Sequence, residues 1–141
     1  YGIVWGVTGA ARRCTEVALD HAATRTQFDR PIAAFQLTQQ KLVEMTVRVQ
    51  HGMLLALRLG RMKDAGAASA ARVSLGKLSN VRDALWVARE ARTVLGASGV
   101  TLDYPVMRHV ANLESVLTYE GTHEIHTLIV GEALTGIRAF T

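Results

Sequence analysis

From Ile3 onward apolar residues recur at helical spacing. Ile3, Val7, Ala10, Cys14 and Val17 step by four and three positions and so share one face of a helix. The pattern runs on to about Thr26, where QFDRP (residues 27–31) stops it, because a residue before proline is pushed out of the helical region. A second helix is predicted to begin near Ala34 or Phe35. Leu42, Met45, Val49, Met53 and Ala56 form one stripe, and Val43, Val47, Leu54 and Leu57 widen it. So broad a face suits a helix that touches more than one neighbour. It should end near residues 64–66, since glycine is common just past a helix end. A third helix is predicted from about 68 to 95, buried along Leu78, Val81, Leu85, Ala88, Ala91 and Leu95. Its Gly76 and many alanines imply close approach of a neighbouring helix, and LGASGV closes it with two glycines. Pro105 suits a first helical turn, which gives a short helix from about 105 to 114. Thr122 is a natural N-cap for a last helix reaching about Thr135. No run alternates with the period of two that marks a strand. The expected fold is all-α: an antiparallel up-and-down four-helix bundle, one domain over residues 1–141, without repeats or internal boundary.

Composition narrows the class. With 141 residues, 49% hydrophobic and 20% charged, the chain can bury a sizeable core in one domain. No apolar run reaches the ~18 residues of a membrane-spanning helix. The opening YGIVWGVTGAARR has no charged segment ahead of its apolar one, unlike a secretory signal. It also lacks an initiator Met, so a fragment of a longer protein is expected. The lone cysteine, Cys14, cannot form an internal disulfide, which points to a reducing, intracellular setting. Its place on an apolar stripe makes it a packing residue. The net charge is +4, but Arg12, Arg13, Arg25, Arg30, Arg58, Arg61, Lys63, Arg82, Arg89 and Arg92 are scattered. Nucleic-acid binding wants a concentrated patch; mild attraction for phosphate-bearing ligands remains.

The chemistry concentrates in TYEGTHEIHTLIVG, residues 118–131. His123, Glu124 and His126 are close, but the zinc-protease pattern needs histidines four apart, and these are three apart. His21, His51 and His109 are dispersed, so no metal site is expected. Glu120 and Glu124 are four apart, yet Glu120 precedes the helix, so the two carboxylates need not face each other. Spacing alone leaves Glu120 as an acidic residue near a helix N-terminus, favoured there by ~0.3–1 kcal/mol. Its surroundings pull the other way. Tyr119, Gly121, Val116, Leu117 and Ile125 suggest an apolar wall, in which a carboxylate is readied to accept a proton near neutral pH.

Three motifs in order, RTQFDRPIAAFQ, LGASG and YEGT followed by a helix, resemble the C-terminal domain of acyl-CoA dehydrogenases over essentially the whole chain. The stretch from Arg108 and His109 through VANLESVLTYEGTHEIHTLIVGEALTGIRAF is similar to the glutaryl-CoA-oxidising branch of that family. The resemblance implies a three-domain flavoenzyme whose last domain is a four-helix bundle that supplies the base and builds a homotetramer, a dimer of dimers. It implies FAD as cofactor, an acyl-CoA thioester, glutaryl-CoA foremost, as substrate, and electron-transferring flavoprotein as acceptor. Glu120 matches the base that removes the α-proton, and Gly121 matches a substrate contact. Arg25 matches a grip on the FAD diphosphate of a neighbouring subunit, with Phe28 and Gln36 as further FAD contacts. Thr93, Val94, Leu95, Gly96 and Ala97 match a loop reaching the FAD across the subunit interface. Thr122, His123 and Glu124 match the turn touching the flavin of the same subunit, and Phe140 a late FAD contact. The same resemblance implies the cytoplasm of a bacterium or the mitochondrial matrix of a eukaryote. Asp29, Ala97, Ser98 and Thr93 depart from the family pattern, where glycine, glycine, asparagine and an acidic or amide residue are usual. A non-decarboxylating short- or branched-chain dehydrogenase is the alternative within the class. Outside it stands a catalytically inactive, oligomerising helical bundle.

Overall fold

The computed structural model describes residues 1–139; the expected FAD contact Phe140 lies outside the described residues. Five helices carry the chain: α1 (Gly2–Thr24), α2 (Gln36–Asp64), α3 (Ala70–Leu95), α4 (Val106–Thr118) and α5 (His123–Thr135). Short connections make α1, α2 and α3 alternate in direction. α3 is the axis of the bundle and packs against each of the other four helices. The expected four-helix bundle is formed by α1 to α4, and α5 lies alongside α3 with no buried residue of its own.

Most predicted stripes point inward. Val7, Cys14 and Val17 of α1, Leu42, Met45, Val49 and Ala56 of α2, and Val81, Leu85, Ala88, Ala91 and Leu95 of α3 are all in the core. Small residues allow close approach, as expected for Gly76: a Cβ there would sit 2.3 Å from Leu59 Cδ1. The widening residues of α2 behave differently. Val43, Val47, Leu54 and Leu57 are exposed, at 62, 40, 64 and 41%. Cys14 is fully buried, and burial pushes its thiol up to about 12, partly offset by the Arg13 charge.

Buried and half-buried polar groups tie the three long helices together. Asn80 of α3 donates to Thr8 Oγ1 of α1 at 3.0 Å and to the Gly52 carbonyl of α2 at 2.9 Å. Arg48 of α2 meets Asp83 of α3 at 2.9 Å and lies over the Trp86 ring, 4.2 Å from its centroid.

Three expectations need correction. A strand pair does occur: β1 (Thr26–Gln27) and β2 (Arg30–Pro31) form a two-residue antiparallel hairpin. Phe28 and Asp29 turn it with φ of 53° and 61°, the left-handed pair that a type I′ turn requires. Strands of two residues leave no alternation to read. α4 runs to Thr118 rather than about 114, because no helix breaker intervenes before the Glu120–Gly121 turn. α3 begins at Ala70, where Ser69 caps it by accepting from the Arg72 N–H. The core register of its first three turns belongs to Ser74, Lys77 and Asn80, whereas Leu78 is half-buried.

Candidate active site

The turn between α4 and α5 holds the candidate base. Glu120 has φ of 57° and Gly121 φ of 93°. Glycine adopts such angles freely, but a glutamate there carries strain of ~1 kcal/mol or more and needs its surroundings to hold it. Thr122 closes the turn as expected, its Oγ1 accepting from the Ile125 N–H in the first turn of α5. A side chain at Gly121 would collide with the His126 ring, since a Cβ there would lie 2.8 Å from Nε2.

Two side chains grip this turn from beneath. Lys77 of α3, only 5% exposed, donates from Nζ to the carbonyls of Tyr119 and Gly121. His126 of α5 bonds the Glu120 carbonyl through Nε2 at 3.1 Å and Ser74 Oγ through Nδ1 at 2.9 Å. With the proton on Nε2, the ring donates to the carbonyl and accepts from the Ser74 hydroxyl. Burial pulls the Lys77 ammonium below its ordinary value, and the Glu120 carboxylate opposes that pull. Neither Lys77 nor Ser74 stood out in the sequence, and His126 entered only as a metal candidate. The usable signal was a lysine and a serine at core positions of an amphipathic helix.

Glu120 itself is exposed in this chain, whereas its apolar neighbours in sequence predicted a wall around it. Val116 and Tyr119 instead line a groove of about 370 Å³ between α1 and α4, with Ile3, Gly6, Val7 and Gly9 along its other side. That volume lies in the range of small-molecule sites. A Cβ at Gly6 or Gly9 would meet nothing within 4 Å, so these glycines leave the groove open. A second hollow of about 340 Å³ lies between α3 and α5 and is lined by Trp86, Arg82, Arg89, His123 and Glu124 among others. Glu124 sits in the first turn of α5, where its own backbone N–H and then the Thr122 hydroxyl hold its carboxyl below the usual range. Among the described residues no three His, Cys, Asp or Glu side chains gather as metal ligands.

The other predicted contacts lie elsewhere. Arg25 caps the end of α1, Phe28 sits on the hairpin at 84% exposure, and Gln36 opens α2. Thr93, Val94 and Leu95 end α3, and Gly96 and Ala97 begin the 3-10 turn after it. Leu95 is buried in the core, so its side chain serves packing. The Thr93 hydroxyl donates to the Arg89 carbonyl within its own helix. Both groups fall at the end of the bundle where α1 and α3 finish. The Glu120 turn is anchored near the start of α3, and the rise from Lys77 to Leu95 is ~27 Å. The structure thus gathers Glu120, Gly121, Thr122, His123 and Glu124 at one end of α3 and leaves the remaining contacts at the other.

The histidines give this fold an acid sensitivity. Burial is the main cause that holds His21, His109 and His126 below the ordinary 6.5; Arg25 adds to it for His21, and Arg108 and Arg13 for His109. On acidification the unfolded chain therefore takes up these protons first. Stability is complete above pH 6.5, falls as pH drops through 6.5 toward the lowered native values, and levels off beneath them. The thermal midpoint followed by circular dichroism is expected to decline from about pH 7 to below 6. A midpoint that rises over that interval contradicts this account.

Known proteins carry the same architecture. Residues 1–135 match the family model described as acyl-CoA dehydrogenase, C-terminal domain. A glutaryl-CoA dehydrogenase from Mycobacterium smegmatis is 66% identical, superimposes with a TM-score of 0.97, and is covered for 36% of its length by 99% of this chain. Another structure of a glutaryl-CoA dehydrogenase from that organism, in complex with FADH2, is 55% identical at the same TM-score and the same coverage. The glutaryl-CoA dehydrogenase of Desulfococcus multivorans is 30% identical over 134 residues, 94% of this chain and 34% of the relative. The chain spans about a third of the length of these relatives. Matched along nearly all of its residues by the family model, and sharing its helices with these enzymes, the chain belongs to the acyl-CoA dehydrogenase family as a C-terminal domain.

Proposed function

We propose that the chain is the catalytic and oligomerising part of an FAD-dependent glutaryl-CoA dehydrogenase, with Glu120 as its base. The observation that carries this reading is the exposed Glu120 carboxylate, held on a strained and doubly anchored turn beside the open groove of α1 and α4. A carbon next to a thioester is weakly acidic. A base acts on it only if it is fixed within reach of the α-hydrogen and water is kept away. The turn supplies the fixing, and Gly121, which has no side chain to collide with the His126 ring, lets the turn seat against it and offers its backbone to the thioester.

The residues present fit FAD. The Arg25 guanidinium has no ion-pair partner among the described residues, and the exposed Phe28 ring follows three positions later on the hairpin, a cation and an apolar plate suited to a diphosphate and an adenine. The two contact groups sit ~27 Å apart along α3, which supports a cofactor shared between copies of the chain. When bound, FAD supplies the acceptor for the hydride that leaves Cβ. Glu120 takes the α-proton, so the acyl chain loses a proton and a hydride and gains a double bond. Loss of the distal carboxylate as CO2 leaves a dienolate, and in this reading the proton held by Glu120 returns to its γ-carbon to give crotonyl-CoA.

The exposed stripe of α2 and the apolar residues Ile125 and Leu134 of α5, at 43 and 80% exposure, support assembly as a homotetramer. Electron-transferring flavoprotein is the proposed acceptor. No helix among the described residues is long and apolar enough to cross a membrane, and we assign the protein to the bacterial cytoplasm or the mitochondrial matrix.

The test uses the full-length, FAD-loaded polypeptide under anaerobic conditions, mixed in turn with glutaryl-CoA, butyryl-CoA and isovaleryl-CoA. Glutaryl-CoA is expected to bleach the flavin absorbance fastest and to release CO2. Bleaching by butyryl-CoA but not by glutaryl-CoA assigns the non-decarboxylating alternative instead. A stable multimer that takes up no FAD leaves the chain as an oligomerising bundle.

A further inference from the structure

Three successive peptide carbonyls, those of Tyr119, Glu120 and Gly121, each accept a bond from a side chain that is remote in sequence or on the next helix. The geometry points to a positioning clamp: Lys77 and His126 hold the peptide planes on both sides of Glu120 and thereby aim its carboxylate at the substrate α-carbon. This inference rests on the reading of Glu120 as the base and adds to it the residues that keep that base in place.

A lysine at 5% exposure is an unusual occupant of a helix core position, because its charge gives up water on burial. Lys77 recovers hydrogen bonds only from the turn that carries Glu120, as the two carbonyls are its sole partners among the described residues. The bond from His126 falls on the intervening carbonyl, so no peptide plane from Tyr119 to Gly121 is free to rotate. His126 is fixed in turn by the buried Ser74 of α3. A glutamate at φ of 57° relaxes to negative φ when its restraints are removed, and that rotation swings its side chain away. The clamp meets the groove lining only at Tyr119, whose carbonyl Lys77 holds, and it lies away from the Arg25 end of the bundle. Its loss should therefore act on the proton-transfer step and spare binding.

The test is made in the full-length, FAD-loaded enzyme with the variants Lys77→Met, His126→Leu, His126→Gln and Glu120→Gln. Lys77→Met keeps the length of the side chain and removes its donors. Displacement of a catalytic group by about 1 Å costs about 100-fold, so Lys77→Met is expected to lower kcat by about 30- to 100-fold with KM changed less than about 3-fold. His126→Leu should lower kcat by about 10-fold, and His126→Gln, whose amide still donates to the Glu120 carbonyl, should restore most of it. Exchange of the substrate α-hydrogen with D2O, followed by NMR, should fall in parallel, whereas FAD content should not. If Lys77→Met does not fold, the His126 pair carries the decision. Wild-type kcat in folded Lys77→Met or His126→Leu overturns the clamp. So does a loss that tracks only FAD release or a raised KM, or His126→Gln no better than His126→Leu. Glu120→Gln separates the two levels: if it alone is inactive while the clamp variants work normally, only the clamp is wrong; if it retains full turnover, the underlying reading is wrong.

Discussion

Glu120→Gln is expected to lower kcat of the full-length, FAD-loaded enzyme by about 10⁴-fold, the upper end of what a positioned general base contributes. The substitution keeps the size and reach of the side chain. The turn itself is held through its backbone carbonyls, so Lys77 and His126 grip the variant as they grip the parent. Only the ability to accept a proton is lost. Cofactor content, thermal midpoint and substrate affinity should stay near those of the parent, and anaerobic stopped-flow mixing with glutaryl-CoA should show a flavin band that persists. A variant within about tenfold of the parent rate would mean that another group removes the proton, and the mechanism built on this turn would be withdrawn.

The second large effect concerns stability. Gly99 is buried, and a Cβ on it would lie 2.5 Å from the Arg92 carbonyl oxygen, 3.0 Å from Arg92 Cα and 3.1 Å from its carbonyl carbon. All three atoms belong to the backbone of α3, so no side-chain rotation relieves the contact. Gly99→Ala must push the 3-10 turn off the helix end, at a cost of about 3 kcal/mol. For a chain of this length that corresponds to a fall in thermal midpoint of roughly 10 °C. Gly131→Ala is the control, since a Cβ there meets nothing within 4 Å and a helical alanine is favoured over glycine by ~0.5–1 kcal/mol. Equal midpoints for the two variants would show that the turn yields freely. The same displacement would disturb Gly96 and Ala97, and under the proposed function, in which these two residues reach the FAD, the full-length Gly99→Ala protein is expected to hold it less well.

How far the sequence could be read depended on the range of the interactions involved. Helix periods, the Thr122 cap and the glycines that close α3 act over a few residues, and these were legible. The hairpin was not: its turn uses Phe28 and Asp29 rather than the Asn-Gly that usually marks such a conformation, and its strands are too short to alternate. The Lys77 contacts were hidden for another reason. They join a side chain to backbone carbonyls 42 and 44 residues away, and any residue type presents a carbonyl. The exposure of Glu120 was misjudged because apolar neighbours along the chain say little about which surfaces cover a side chain in space. The Val43–Val47–Leu54–Leu57 stripe shows the opposite case: its excess breadth was visible in the sequence, and the fold of one chain leaves it open.

Cys14 has a practical consequence for work on the turn. Its sulfur is enclosed in the bundle, and with a pKa of about 12 only roughly one thiol in ten thousand is ionised at pH 8. Maleimide and iodoacetamide reagents attack the thiolate, so the folded domain offers them no native target among its described residues. A cysteine introduced at the exposed Thr118 can then be tagged alone, and a fluorophore or spin label there reports on the neighbouring loop without background and without first mutating the parent chain.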